Sequence, residues 1–160
     1  MSETNNLYIG IDPGKNGGVA LLSNEGDYYR ALAFRCPDAD NMHKVLLEHI
    51  EEFCIDFDSI YVGIEKVWAF PTDARSSAFK FGFNTGMWKG IISAMFLDTE
   101  SIPPKVWMTY YGMPKNLEKQ KRKKWLKELA QKMYPNIKVT LNTSDAVLIA
   151  HYLKEIKSKK

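Results

Sequence analysis

Leu7-Tyr8-Ile9-Gly10-Ile11-Asp12 and Ser59-Ile60-Tyr61-Val62-Gly63-Ile64-Glu65 are the two stretches whose reading decides the fold. Each is a short apolar run rich in β-branched and aromatic residues, and each ends in an acid. Runs of this length and composition, bounded by turn formers, read as buried strands. The first is followed by the turn Pro13-Gly14-Lys15-Asn16-Gly17-Gly18 and the second by a loop over residues 66–73. A carboxylate beside a core is costly unless it is paired, protonated or bound to a cation, so the two strand-end acids ask for a reason.

Working outward, residues 19–22 read as a second strand, 23–26 as a turn and 28–34 as a third strand, which makes a three-stranded antiparallel meander with 7–12. Residues 37–41 form a loop, with Asp40 or Asn41 placed to cap a helix over 42–53, where Val45, Leu46, His49, Ile50 and Phe53 recur at the helical period. Beyond the strand at 59–65, the spacing predicts a long helix over 74–95 and a short strand over 98–102. Pro103-Pro104 then opens a brief helix through Tyr111, which Gly112-Met113-Pro114 stops. A basic amphipathic helix over 117–133 ends before Pro135, and a last helix runs over 144–156. There is no internal repeat, linker or low-complexity segment. The order implies one α/β domain over residues 1–160, its core at about 7–156, with a short polar N-terminus and a basic C-terminal tail. Its sheet is expected to be five-stranded and mixed, the meander plus two parallel strands, flanked by helices.

Composition sets further bounds. The chain has 160 residues, 45% hydrophobic and 26% charged, with a formal net charge of +3. That length buries a sufficient core without disulfides or structural metal. No apolar run is long enough to span a bilayer, and the polar start Met1-Ser2-Glu3-Thr4-Asn5-Asn6 has no signal-peptide character. We therefore expect an intracellular location (cytoplasm or nucleoid, an organelle, or a phage-infected host) and no membrane partner. Cys36 and Cys54 are expected to be free thiols, and without a CxxC pair a zinc site is not indicated. His43, His49 and His151 share no ligand spacing. The charge is strongly segregated. Residues 1–102 hold 8 Lys/Arg against 15 Asp/Glu, while residues 103–160 hold 14 against 4, with the densest run at Lys119-Gln120-Lys121-Arg122-Lys123-Lys124. Such a run supplies sequence-independent attraction to phosphates; its plain alternative is a solvated helix face.

Asp12, Glu65 and Asp145, the last in the first turn of the final helix, sit in three different elements beside apolar residues. If the first and fourth strands are neighbours, the three converge. Oxygen ligands of this kind suit Mg²⁺ or Mn²⁺, and two such ions per site would serve phosphodiester hydrolysis. Taken singly, Asp12 before Pro-Gly also reads as a turn former, Glu65 as an edge-strand surface residue, and Asp145 as a helix N-terminal charge.

The ordered set resembles the RuvC-type Holliday junction resolvases of the RNase H-like superfamily. The resemblance is carried by Gly10-Ile11-Asp12-Pro13-Gly14, Val62 to Glu65, Ser77-Ala78-Phe79-Lys80-Phe81-Gly82 with Thr85-Gly86, Pro104-Lys105-Val106, Thr109-Tyr110-Tyr111-Gly112, Glu118-Lys119 and Asp145-Ala146. The pattern is closest to phage and plastid members, and it covers residues 7–153. It implies an RNase H-like fold and a Mg²⁺-dependent endonuclease that nicks four-way DNA junctions symmetrically as a homodimer. It implies Asp12, Glu65 and Asp145 as metal-binding and catalytic acids, and Lys119 as a cation at the scissile phosphate. Trp68 and Phe70 are implied to stack on open bases, while Lys80, Lys119, Lys121, Arg122, Lys123 and Lys124 are the expected DNA contacts. Two departures stand out. The family's fourth acid, three residues before Asp145, is Asn142, an uncharged ligand candidate that reads equally well as a helix N-cap. Trp107 stands where the family often has a lysine. Gly82, Gly86 and Gly90 leave one helix stripe nearly bare, which fits close approach to another helix, and in the family this helix lies at the dimer interface.

An Asp-x-Gly turn after a first strand also occurs in actin-like and sugar-kinase ATPases, but those need a second domain and a second phosphate loop that this chain lacks. A non-catalytic junction-binding module, favoured by Asn142, and a nuclease acting on RNA–DNA hybrids remain open alternatives.

Overall fold

A computed structural model describes residues 4–25, 28–53 and 56–159. Its strands are β1 (Asn6–Asp12), β2 (Gly18–Glu25), β3 (Tyr28–Arg35), β4 (Ser59–Glu65) and β5 (Thr99–Ile102). The α-helices are α1 (Met42–Glu52), α2 (Arg75–Ala94), α3 (Pro104–Tyr110), α4 (Lys119–Met133) and α5 (Ser144–Ser158). A short 3₁₀ turn, Ala39–Asn41, leads into α1 inside what the sequence marks as loop.

The sheet has the order β3-β2-β1-β4-β5. β1 pairs antiparallel with β2 and β2 antiparallel with β3, while β1–β4 and β4–β5 are parallel. This is the expected mixed sheet, and it makes the two acid-ending strands direct neighbours. Their register aligns Ile9 with Val62, Gly10 with Gly63 and Ile11 with Ile64. Asp12 and Glu65 therefore lie at the same end of the sheet, one residue beyond the last pair.

Strand alternation sorts the core into two layers. Leu7, Ile9, Ile11, Val19, Leu21, Val62 and Ile64 face α1 and α2, where Met42, Leu46, Trp88 and Ile92 meet them. Tyr8, Ala20 and Leu22 face the other way, against Trp107, Leu126, Ala130 and the run from Ala146 to Ala150. The first half of α5, Ala146 to Ala150, is apolar all round because it lies between the sheet and α4. Gly10 and Gly63, side by side in register, form its flat seat. A Cβ on Gly10 would collide with the carbonyl of Ala146 and sit 2.5 Å from the amide nitrogen of Ala150. The repeated Gly-Ile-acid order thus does two jobs: glycine admits the helix, and the acid two residues on reaches the sheet's end.

Two local readings are corrected. Residues 23–25, expected to turn, continue β2 and pair with Arg30, Tyr29 and Tyr28. The Asn24 amide carries this extension, accepting from the Asn6 amide nitrogen at 3.1 Å and donating to the Thr4 carbonyl at 3.3 Å. Gly26, the rest of that turn, lies outside the described residues, as does Cys54. Asn142 is not the cap of the last helix. Thr143 takes that position, its hydroxyl accepting the Thr140 N–H at 2.9 Å. Asn142 instead donates its side-chain amide to the Asn16 carbonyl at 2.8 Å, stapling the turn after β1 to the start of α5. Among the described residues no helix is long and apolar enough to cross a membrane.

Candidate active site

At the shared end of β1 and β4 the surface opens into a cleft of about 1130 Å³. Asp12, Glu65 and Asp145 line it together, one from each of the elements the sequence singles out. β1 and β4 deliver the first two by their parallel register. α5 delivers the third because its first turn sits over the glycine seat.

Their electrostatics follow from burial and mutual repulsion. Asp12 is held well above the usual carboxylate range, first by loss of water and then by Asp145 and Glu65. Glu65 is pushed up to about 7 by burial and by Asp145. Asp145 is raised by burial as well. The cations of α4 oppose this: Lys123 acts on all three acids and Arg122 on Glu65 and Asp145. Their sequence spacing turns both toward the cleft from one helix face, where Leu126, one turn further on, enters the core.

Each carboxylate has different support. Glu65 Oε2 accepts a hydrogen bond of 2.9 Å from the indole N–H of the fully buried Trp107. Asp145 Oδ1 accepts from the Ser144 hydroxyl at 3.4 Å. The loop after Asp12 is fixed from behind. The Gly14 amide donates to Asn84 Oδ1 of α2 at 2.7 Å, and the Cys36 thiol reaches the Asp12 carbonyl at 3.3 Å. Burial and the nearby Asp12 push that thiol up to about 12, so Cys36 is a free but unreactive wall residue.

A hard divalent cation fits this donor set. Three oxygen-bearing acids that raise one another's proton affinity are relieved by such an ion, and Asp, Glu and water are its preferred ligands. Among the described residues no three His, Cys, Asp or Glu side chains stand ready-made around a common ion position. The acids are close enough to repel one another without being gathered on one point.

The other sequence-singled residues divide clearly. Lys80, Lys119, Arg122 and Lys123 line the cleft. Lys121 and Lys124 lie outside its lining, and Lys124 instead pairs with Glu128 on the solvent side at 3.8 Å. Trp68 and Phe70 are also outside it, on the exposed loop after β4, with 52% and 58% of their surfaces open. Trp68 does not fold back over the core; Lys66 sits 5.8 Å from its ring centroid. Asn142 does not line the cleft, and its amide nitrogen is engaged by Asn16.

The sequence does not mark Lys15, Asn16 and Arg35, which also line the cleft. The Arg35 guanidinium donates to the Lys15 carbonyl at 3.0 Å and to Asn16 Oδ1 at 3.1 Å, bracing the turn after β1. The Gly18–Arg35 pairing that brings them together depends on strand register, which the sequence does not display.

Comparison with known proteins finds the fold among solved structures. RuvC of Thermus thermophilus superposes with a TM-score of 0.61 at 15% identity, covering 95% of this chain and 96% of that one. RuvC of T. thermophilus in complex with a Holliday junction substrate superposes with a TM-score of 0.63 at 14% identity, covering 97% of this chain and 96% of that one. No family model matches the chain, and neither does any curated protein. At these identities the likeness establishes a shared fold.

Proposed function

We propose that the chain is a structure-selective DNA endonuclease that resolves four-way junctions, a single-domain hydrolase working as an intracellular homodimer. One observation carries this reading: three mutually repelling acids line a cleft walled by the basic face of α4, in a fold shared with a protein solved on a Holliday junction.

Asp12, Glu65 and Asp145 are assigned to hold the divalent ions, two per site in this reading, with Mn²⁺ able to replace Mg²⁺. When bound, their chemistry is to acidify the attacking water and to stabilise the departing oxygen. The water oxygen bonds to phosphorus, the bond from phosphorus to the 3′-oxygen breaks, and a 5′-phosphate and a 3′-hydroxyl result. Lys119, Arg122 and Lys123 bring positive charge to the phosphate as negative charge builds on its oxygens. Lys80 on α2, with Lys15 and Arg35, which also line the cleft, extends the same attraction to flanking phosphates. Trp68 and Phe70, exposed on the loop after β4, are assigned to stack on bases opened at the branch point, a contact of roughly 1–3 kcal/mol per base. Lys121 and Lys124 are left with general phosphate attraction.

The homodimer reading rests on α2. Its first half is exposed nearly all round, with Phe79 75% open and Phe83 53% open. A Cβ on Gly82, Gly86 or Gly90 would meet nothing within 4 Å. Three glycines, each costing a helix about 1 kcal/mol relative to alanine, have no use inside the single chain. A second copy packed on this stripe gives them one and presents two clefts to two strands.

The test is cleavage of a labelled synthetic four-way junction beside linear duplex and RNA–DNA hybrid, in Mg²⁺, Mn²⁺ or EDTA. Paired symmetric nicks in the junction alone, lost in EDTA and in Asp12→Asn, are expected. Cleavage retained by Asp12→Asn would sink the metal assignment. A non-catalytic junction-binding module is the second reading. It is favoured by Asn142, which brings no fourth carboxylate to the cleft, and it predicts tight binding without cleavage in either metal.

A further inference from the structure

We propose that Trp107 is a positioning residue for Glu65 and that α3 acts as a brace between two of the three acids; this rests on the metal-dependent reading above. An indole N–H can only donate, and its single donor is directed at Glu65 Oε2 from a fully buried ring. That bond commits one carboxylate oxygen and leaves Oε1 for a ligand in the cleft. Rotation of Glu65 about its terminal bond, otherwise a soft motion, now costs a buried hydrogen bond.

The indole is itself well held. Trp107 packs in the layer formed by Leu126, Ala146 and Ile149, and its ring meets Tyr111, one turn further on, edge to face at 6.5 Å between centroids. The Tyr111 hydroxyl donates to the Leu148 carbonyl of α5 at 2.6 Å. The short helix α3 therefore touches β4's acid through Trp107, and its C-cap Tyr111 touches the helix bearing Asp145. This links Glu65 to the helix that carries Asp145 along a path that does not run through the sheet. Lysine could not do the same here, because an ammonium buried at this depth would lose its hydration and place a charge where an ion is to bind.

Partners that orient ion-binding groups in this way are commonly worth about 10–100-fold in metal affinity. The full chain should be stripped of metal and titrated with Mn²⁺, with free Mn²⁺ followed by electron paramagnetic resonance. Trp107→Phe, which keeps an aromatic ring but removes the donor, is expected to weaken Mn²⁺ binding about tenfold or more. It should lower kcat on the junction with KM for the junction unchanged, and leave junction binding in EDTA within twofold of wild type. Val139→Ala, buried in the same layer without touching an acid, supplies the comparison for simple loss of stability. Equal weakening of Mn²⁺ binding in that variant would reduce Trp107 to a packing role and overturn the proposal.

A second measurement needs no variant to fold. In wild-type protein labelled with ¹⁵N-tryptophan, the indole resonance of Trp107 should move on Mg²⁺ saturation. A resonance that stays in place overturns the positioning role. A wild type that binds Mn²⁺ alongside a Trp107→Phe protein that binds it equally well overturns the brace alone. A wild type that takes up no Mn²⁺ sinks the metal reading and the brace with it.

Discussion

Gly10→Ala is the sharpest probe of how this fold assembles its site. The new Cβ would overlap the Ala146 carbonyl oxygen and lie 2.5 Å from the Ala150 amide nitrogen and 2.9 Å from the Ala150 Cβ. Two of these three atoms are α5 backbone, so no side-chain rotation relieves the crowding. α5 must lift by roughly 1 Å to restore ordinary contact distances of about 3.5–4.0 Å. Overpacking of this kind costs about 1–3 kcal/mol, and a rigid backbone contact belongs at the upper end. The lower chain entropy of unfolded alanine returns about 0.4–1 kcal/mol. The net is a loss of about 2 kcal/mol, or a fall in Tm of roughly 4–8 °C for a domain of this size. Because α5 carries Asp145, the lift also moves that acid away from Asp12, and the gain in Tm on adding Mg²⁺ should shrink. Scanning calorimetry with and without Mg²⁺ reads both effects. Gly63→Ala is the internal comparison: its Cβ would meet Ile102 Cδ1 at 2.7 Å, the movable end of a side chain, and should cost less. A Gly10→Ala protein with unchanged Tm and an unchanged Mg²⁺ response would refute the glycine-seat argument.

Metal-free protein should lose stability as pH rises. Glu65 is raised from its ordinary 4.5 to about 7, so the folded state holds that proton more tightly than the unfolded chain. The associated stability is complete below about pH 4.5 and gone above about pH 7, a difference of about 3 kcal/mol from this group; Asp12 and Asp145 act in the same direction. Tm from pH 5 to pH 8 should fall without metal and recover with Mg²⁺, and a flat metal-free profile would contradict the burial of the acids. Lys123→Ala should slow single-turnover junction cleavage at least tenfold, because that charge bears on all three acids. Lys121→Ala, outside the cleft lining, should change the rate less than threefold, and equal effects would mean that only bulk charge matters. Gly86→Ala should weaken the dimer about tenfold in sedimentation equilibrium. If the dimer persists while Tm rises by the 2–4 °C expected from about 1 kcal/mol of helix propensity, the α2 stripe is not the interface.

The parts of the site legible in the sequence were those written in local patterns. Two Gly-Ile-acid strand ends announced Asp12 and Glu65, and the apolar run after Asp145 announced a buried helix with an acid in its first turn. Parallel pairing then brought the strand ends together, as the fold class requires. What stayed hidden depended on register and on contacts between distant segments. The Trp107–Glu65 bond joins residues 42 apart, and no periodicity marks an indole that gives its proton to a carboxylate rather than simply filling the core. Arg35 looked like an ordinary strand-end residue until the β2–β3 register set it over the turn at Lys15 and Asn16. Asn142 offers the sequence two readings, a metal ligand and a helix cap, and the structure uses its amide for neither. Thr143 takes the cap position without a side-chain cap bond, and the Asn142 amide serves the staple to Asn16.

The two departures from the resolvase pattern compensate each other in charge. Against the pattern the sequence resembles, Asn142 stands where a carboxylate is usual and Trp107 where a lysine is frequent, so the two differences offset in formal charge. Each change also has its own local reason. Asn142 faces the carbonyl of Asn16. A carboxylate there has no hydrogen to donate and would set acceptor against acceptor, loosening the turn that carries the chain away from Asp12. Trp107 occupies a fully buried position, where a neutral donor can hold Glu65 without the hydration penalty of an ammonium. Without a fourth carboxylate no further repulsion is added to that already raising Asp12 and Glu65, and without a lysine no ammonium would compete with a metal ion for Glu65 in the proposed reading. The remaining cations, Lys123 and Arg122, line the cleft from α4, where in the proposed reading they would meet an incoming phosphate. Positive charge thus lines the cleft, while Glu65 is held from the closed interior by a neutral hydrogen bond.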